Sequence, residues 1–450
     1  MKAWKVLFGG LLLMCGPDMV QSQTLSDTLS QPASLSECVA YALNHQPYVR
    51  QAQLDERIAE RTIQSRLADW FPQVNLNYNF QHFLKLPVII LPDFANPTSG
   101  VRREVQTGVA NTSTAAFSAT QSIFNRDLLQ AGQTAQAVRA QANLNTKRTK
   151  IDVTVDVSKA YYEVLLTQQQ ADIIESDIVR LERSLRDAYN QFQGGIVDKT
   201  DYKRATIALN NSKAQLKRAQ EQLDARYASL KNLMGYPVQG TLVVLNDSTN
   251  LEAEAMLDTN LILHPESRVE YQLLQTQRSL QEADVLYNRR SYLPTVSAFL
   301  NYNLIHQNQE FSELFNRSFP NSLYGLTLTY PIFQGGKRLH NIKAAQLRLD
   351  RLDWEFVALR NAIGAEYAQA LADYKSNLND YLMLRENREL AQEVYDVINL
   401  QYKSGVKTYL EVIIAQADLQ AAEFNYINAL YRLLSSRYDV ERALGFINPY

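Results

Sequence analysis

Two short turns of similar sequence constrain the fold of this chain most, because each lies between two long helical patterns. The turns occupy residues 191–202 and 401–412, and in register Gly195 aligns with Gly405. A glycine commonly ends one helix, and acidic or threonine side chains a few residues later commonly cap the next. Both turns are therefore predicted to be the tips of helical hairpins, and the chain is predicted to be a duplication.

Apolar and small residues spaced three and four apart flank the first tip on both sides, which is the pattern of a coiled-coil seam. Before the tip only Thr167 departs from this character, and after it Arg226 is the one charged member of the seam. The two helices are therefore expected to pack along each other. The seam positions before the tip are Val157, Ala160, Val164, Thr167, Ala171, Ile174, Ile178, Leu181, Leu185, Ala188 and Phe192; those after it are Leu209, Ser212, Leu216, Ala219, Leu223, Arg226, Leu230 and Leu233.

Four runs of alternating apolar and polar residues predict β-strands. They lie at about residues 72–82, 114–124, 294–304 and 323–333. Each is about ten residues long, which is the length that a tilted strand needs to cross an outer membrane. Four strands cannot close a barrel, and open strand edges cannot face lipid. Identical copies are therefore expected to share one barrel, and three copies supply twelve strands, an allowed number.

The predicted elements form two repeats joined by a connector. The first repeat covers residues 23–234 with its tip at 193–201, and the second covers 264–450 with its tip at 403–410. Each contains a short helix, two strands, and a long helix paired with a second short one. The connector, residues 235–263, lacks helical periodicity and is expected to contribute a small strand or belt at mid-length.

The helix lengths predict an elongated body. A continuous helix is expected over about Leu35–Asp69, and longer ones over about Leu128–Phe192 and Lys337–Leu400. At 1.5 Å per residue, the long helices reach about 95 to 100 Å. Two short helices placed end to end match one long helix.

The amino-terminal segment has the features of a secretory signal peptide over residues 1–22: a charged start, a short apolar run and small residues for cleavage. The mature chain is then expected to begin near Gln23. Cys15 raises the alternative of lipidation, but Met14 stands where such sites want a small residue. Without Cys15, Cys38 is the sole thiol, so no internal disulfide is expected.

Composition and motifs argue against several function classes. Charged residues make up 20% of the chain and the formal net charge is −2, so no basic field exists to attract nucleic acid. The five histidines have no metal-ligand spacing among themselves or with the cysteines. No catalytic constellation, nucleotide fingerprint or cofactor motif is present. We therefore expect neither an enzyme nor a cofactor-dependent protein.

With these features together, the sequence resembles the TolC family of outer-membrane efflux proteins. The resemblance is carried by residues 35–43 with Asn44 and Pro47, the prolines Pro72 and Pro294 at two strand entries, the helix start at Pro331 to Arg338, and both tips. It implies a homotrimer whose barrel lies in outer-membrane lipid and continues as an α-helical tunnel through the periplasm. The implied function is the exit duct of a tripartite efflux pump of the RND type or of a type I secretion system. The implied partners are a periplasmic adaptor (membrane fusion) protein and an inner-membrane transporter of the RND or ABC type.

The resemblance also implies a gate at the periplasmic end. In the family, links between neighbouring hairpin tips join a tyrosine to an aspartate and a basic residue to a threonine. The matching positions here are Tyr402 with Asp201 and Lys407 with Thr200. Bonds of this kind are individually modest in water, so a three-fold set is expected to hold the closed state and yield to a docking partner.

Three further tip residues match positions of functional interest in the family. Glu411 matches one of two acidic residues at the constriction, whereas Ile414 stands at the second, so a single carboxylate ring is expected. Gly195 and Gly405 match glycines that adaptor proteins meet. Both also suit ordinary helix termination.

Two other functions are compatible with part of the pattern. A soluble periplasmic coiled-coil protein explains the seams but not the signal peptide with four one-sided strands. A stand-alone diffusion porin carries all its strands in one chain, whereas helices dominate here. The exported substrate is left open, because cargo selection is expected to lie largely with the transporter.

Overall fold

A computed structural model describes most of the chain. The described residues are 31–92, 102–195, 197–246, 248–259 and 261–447. The predicted signal peptide and Cys15 lie outside them.

In the described ranges, eight α-helices form two long hairpins and the shorter segments that pack on them. The bounds are α1 Leu35–His45, α2 Pro47–Ala68, α3 Arg126–Gln193, α4 Lys199–Met234, α5 Ser248–Ala255, α6 Val269–Arg289, α7 Lys337–Lys403 and α8 Tyr409–Leu444. Helices α3 and α7 have 68 and 67 residues, so each is about 100 Å long. Helix α4 packs along α3 and α8 along α7, while α3 also contacts α2, α6 and α8. None of the described helices combines the length and the apolar content needed to cross a membrane.

The predicted continuous helix over Leu35–Asp69 is wrong, because it breaks between α1 and α2. Pro47 occupies the first turn of α2, and the preceding Gln46 is extended, with φ −61° and ψ 124°. A residue before proline avoids the helical region for steric reasons. The Gln46 side chain then caps the new helix by accepting a 3.2 Å hydrogen bond from the Tyr48 amide.

The part of the chain that the structure describes has six strands in two antiparallel sheets. They are β1 Gln73–His82, β2 Val88–Pro92, β3 Arg102–Gln106, β4 Asn111–Phe124, β5 Thr295–Asn308 and β6 Ser318–Thr329. The larger sheet has the order β1-β4-β5-β6, so β1 and β6 are its open edges. Strands β2 and β3 pair in a hairpin that the sequence did not predict. Strand β6 begins at Ser318 and ends at Thr329, so each end lies a few residues before the corresponding end of the predicted range 323–333.

The strand register places apolar and amide residues on opposite faces of the larger sheet. Residues paired across it share a face, because side chains alternate along each strand. One row runs Val74, Ala119, Leu300 and Tyr324, and a row on the other face runs Asn77, Ala116, Asn303 and Asn321. Each of the first row's three large side chains is more than half exposed.

The main hydrophobic core lies at mid-length, where residues of the connector pack against the long helices α3 and α7. The predicted small strand is a single parallel bridge between Ala33 and Val244, followed by α5. The buried Tyr161 of α3 donates a 2.8 Å hydrogen bond to the Leu245 carbonyl. Two tyrosines of α7 fasten the connector in the same way: Tyr367 donates to the Leu261 carbonyl and Tyr374 to the Ala255 carbonyl. The connector is therefore tied to both repeats.

Candidate gate at the hairpin tips

The two tips end their first helices with the same backbone device. Gly195 follows α3 with φ +72°, and Gly405 follows α7 with φ +75°. A Cβ at either position meets no atom within 4 Å, so the space is open. Each glycine is therefore required by its left-handed backbone and not by crowding within the chain. Their predicted contact with an adaptor stays a prediction.

The return helices begin with side-chain caps. At the first tip, the Asp198 carboxylate accepts a 3.1 Å hydrogen bond from the Thr200 amide. At the second, Glu411 accepts hydrogen bonds from the amide and hydroxyl of Thr408, at 2.9 and 3.0 Å, in a capping box. Such a box satisfies amides at the start of a helix.

Within one chain, Lys407 contacts Glu411 and not Thr200. The Lys407 ammonium lies 2.6 Å from a Glu411 carboxylate oxygen. This hydrogen bond, with those from Thr408, lowers the pKa of the Glu411 carboxyl to about 2. The carboxylate is therefore charged and already engaged on its own chain. The predicted link from Lys407 to Thr200 joins neighbouring tips and stays a prediction.

Tyr402 is the most buried of the predicted gate residues, with 9% of its surface exposed. Its hydroxyl donates a 2.9 Å hydrogen bond to the side-chain oxygen of Gln191. Burial, then Tyr409 and then Asp201, raise the pKa of Tyr402 to about 12. Asp201 is thus near enough to act on Tyr402 electrostatically, while the hydrogen bond goes to Gln191. The sequence analysis did not single out Gln191, although it opens the duplicated turn and aligns with Gln401.

A small apolar cluster joins the two tips behind these polar contacts. Its buried members are Ala188 of α3, Ala205 of α4, Tyr402 of α7, and Tyr409 and Val412 of α8. All four helices of the two hairpins contribute to it. The tips of one chain are therefore packed on each other.

A buried carboxylate links the same hairpins further from the tips. Asp177 of α3 is 2% exposed and lies about 24 Å along the helix from its end. It accepts hydrogen bonds from Ser212 of α4 at 2.9 Å and from Gln416 of α8 at 2.7 Å. Gln420 and Arg180 lie further away, at 3.4 and 3.8 Å. One side chain therefore connects three helices, and the sequence analysis missed it.

Metal binding finds no support in the described part of the chain, where no three histidine, cysteine or acidic side chains are grouped to hold an ion. The described tip residues offer caps, hydrogen bonds and packing contacts. Such an arrangement suits a mechanical closure.

Comparisons with known proteins match most of the chain to one family. The family model described as outer membrane efflux protein matches residues 39–236 and 267–446. The outer membrane protein TolC of Escherichia coli is 20% identical over 435 residues, which cover 94% of this chain and 84% of TolC. The alkaline protease secretion protein AprF of Pseudomonas aeruginosa is 22% identical over 320 residues, or 65% of this chain and 63% of AprF.

Solved structures share the fold. The open state of the Neisseria gonorrhoeae MtrE outer membrane channel superposes with a TM-score of 0.68 at 17% identity, covering 91% of this chain and 88% of MtrE.

Proposed function

Because the chain belongs to the outer membrane efflux protein family, whose members are outer-membrane channels and not enzymes, we propose that it is a passive exit duct. The duct serves a tripartite efflux pump of the RND type or a type I secretion system. The observation that carries this proposal is a four-stranded sheet with two open edges, continuous with helices of about 100 Å. The protein provides a path and a gate, and its partners supply the energy.

The open edges of the sheet argue for a homotrimer. Unpaired backbone groups along β1 and β6 cannot face hydrocarbon without a large cost. Pairing β6 of one copy with β1 of the next satisfies them, and three copies close a twelve-stranded barrel. The row containing Val74 and Leu300 then faces lipid, and the row containing Asn77 and Asn303 faces water.

The helical part suits a periplasmic tunnel. Helices α3 and α7 run its full length, and the shorter helices fill the wall beside them. A chain of this shape extends far beyond the thickness of a bilayer, about 30 Å of hydrocarbon. The tips then lie deep in the periplasm, where a periplasmic adaptor meets Gly195 and Gly405 and an inner-membrane transporter delivers the cargo.

The gate in this proposal is closed by links between neighbouring tips, from Tyr402 to Asp201 and from Lys407 to Thr200. Within one chain the Tyr402 hydroxyl donates a hydrogen bond to Gln191 and the Lys407 ammonium donates one to Glu411. Adaptor docking competes with such bonds and lets the hairpins separate. Glu411 supplies one carboxylate ring at the constriction, which attracts cations.

The gate is tested with the double variant Tyr402→Phe and Lys407→Ser in a planar lipid bilayer. Removing one hydroxyl and one charge per tip is expected to raise single-channel conductance. The matched control is Tyr189→Phe with Lys403→Ser, which changes the same residue types near the tips. Tyr189 is 47% exposed and contacts only its own helix neighbour Gln193 among the hydrogen bonds described. Equal conductance in the gate variant, the control and the wild type contradicts this gate.

Fractionation tests the wider proposal. The duct is recovered in the outer membrane and needs detergent for extraction. Recovery without detergent indicates the soluble coiled-coil alternative. A porin is separated from the duct by the number of pores per chain, because a porin forms each pore from the strands of one chain, whereas three chains of the duct share one pore.

A further inference from the structure

The wall of helices near the sheet has two open sides. In this half, consecutive helices pack in the order α2, α3, α6 and α7. Helix α2 leads into the edge strand β1, and α7 follows the edge strand β6. The outer sides of α2 and α7 therefore lie on the same two edges that the sheet leaves open.

The outer side of α2 is a shallow, arginine-lined groove formed by side chains of this one helix. Ile63, 6% exposed, is buried within the chain, and Leu54 and Ile58 lie on the opposite face with 52% and 60% exposure. Arg61 and Ser65 continue this face at helical spacing. The residues around the groove are Leu54, Arg57, Ile58, Arg61, Thr62, Ser65 and Arg66. The groove thus combines an apolar floor with three guanidinium groups.

The outer side of α7 presents a tryptophan. Leu352 is 2% exposed, whereas Trp354, about 200° further around the helix, is 74% exposed. Leu347 and Val357 are 59% and 46% exposed on the same side. A Trp so exposed among apolar neighbours is an unusual feature of a water-facing surface.

The groove and the tryptophan lie at the same height along the wall. Three cross-helix contacts set the levels: Glu60 with Arg139 at 2.6 Å, Asp127 with Tyr287 at 2.6 Å, and Arg278 with Asp353 at 2.8 Å. On α3, Arg139 lies 12 residues further from the sheet than Asp127, and on α6, Arg278 lies nine residues further from it than Tyr287. Asp353 is therefore about three residues nearer the sheet than Glu60, which places Trp354 within about one turn of Thr62. Thr62 lies within the groove.

We propose that Trp354 of each copy inserts into the groove on α2 of the next copy and holds the seam between copies. This rests on the proposed trimer and names the side chains that build it. An arginine over the indole face gives a cation-π contact, and Leu54 and Ile58 cover the rest of the ring. Tryptophan and arginine are the residues most often found at the energetic centre of an interface. Asp350, on the same face of α7, faces the basic rim of the groove.

Cysteine cross-linking in isolated outer membranes tests the seam. Trp354→Cys is combined with Arg61→Cys or with Ser65→Cys, which lie one turn apart on the groove face. The control combines Trp354→Cys with Gln64→Cys, at the same height but turned about 100° from Ser65 and about 60° from Arg61, toward α3. The native Cys38 is fully buried and does not compete. Disulfides need Cα atoms within about 7 Å.

The expected result is covalent dimers and trimers, and nothing larger, for the Arg61 or Ser65 pair, with loss of cross-linking for the Gln64 pair. The number of chains per particle is measured in parallel for the wild type. Trimers in which no pair cross-links, or in which the Gln64 pair does so equally well, overturn the seam but leave the proposed duct standing. A wild-type protein that is not a trimer overturns both.

Discussion

Replacing Asp177 with alanine is expected to loosen the contact between the two hairpins of one chain. The carboxylate is nearly fully buried and joins α3 to Ser212 of α4 and Gln416 of α8. Because Asp177 and these two partners lie on three different helices, their loss of contact is expected to affect both hairpins. No other hydrogen bond to Ser212 or Gln416 is described, so neither has a ready replacement.

The magnitude follows from the two groups that the substitution leaves without an acceptor. A buried polar group that loses its partner costs about 1 to 3 kcal/mol. Two such groups predict a loss of about 2 to 6 kcal/mol for Asp177→Ala. Gln420 and Arg180 are too distant to add much. Asp177→Asn keeps one carboxamide oxygen for Ser212, and rotation of the Gln416 amide restores the second bond, so a smaller loss is expected.

Hydrogen exchange of the intact assembly measures this change locally. Faster exchange is expected in the parts of α3, α4 and α8 around Asp177, Ser212 and Gln416, because local opening becomes easier. A loss of 2 kcal/mol corresponds to about 30-fold faster exchange, since 1.4 kcal/mol is tenfold.

The matched control is Glu182→Ala, also on α3. Glu182 pairs with Lys213 of α4 at 2.9 Å, and both side chains are about half exposed. An exposed ion pair contributes only about 0 to 1 kcal/mol, so this variant is expected to exchange almost as the wild type does. If Asp177→Ala and Glu182→Ala give the same protection, the reasoning from burial is refuted.

Three further outcomes follow from single residues. Burial raises the pKa of the Cys38 thiol to about 12, so maleimide is expected to label it in denaturant but not in the native protein near pH 8. Gly235→Ala is expected to destabilise more than Gly405→Ala in thermal unfolding, because both have positive φ but only at Gly235 does a Cβ lie 2.8 Å from the His45 carbonyl oxygen. The pKa of Glu411 is lowered from 4.5 to about 2. The difference in free energy of unfolding between wild type and Glu411→Gln, measured as a function of pH, is therefore expected to be fully present above pH 4.5 and to vanish as the pH falls through 2.

Local patterns in the sequence were sufficient to predict the long helices and the tips. Seam spacing predicted the pairing of α3 with α4, and glycines with nearby capping residues predicted where they turn. The two unusual seam residues have physical explanations. Thr167 is buried and its hydroxyl donates to the Glu163 carbonyl at 2.9 Å, while Arg226 is half exposed and pairs with the Glu163 carboxylate at 2.8 Å.

Features set by distant parts of the chain were not predictable in the same way. The limits of β6 follow from its ladder with β5, in which Thr295 faces Thr329 and His306 faces Ser318. Asp177 draws its partners from 35 and 239 residues away in sequence, and no local pattern announces such a network. The break at Pro47 has a local signal, because a residue before proline avoids the helical region, but the sequence analysis interpreted the helical periodicity on both sides as one helix.

The number of chains in the detergent-extracted outer-membrane particle tests the central claim most directly, because the described residues of one chain supply four strands to the sheet expected to enter the barrel. Native mass spectrometry is expected to give three identical chains per particle. A single chain released without detergent would contradict the account.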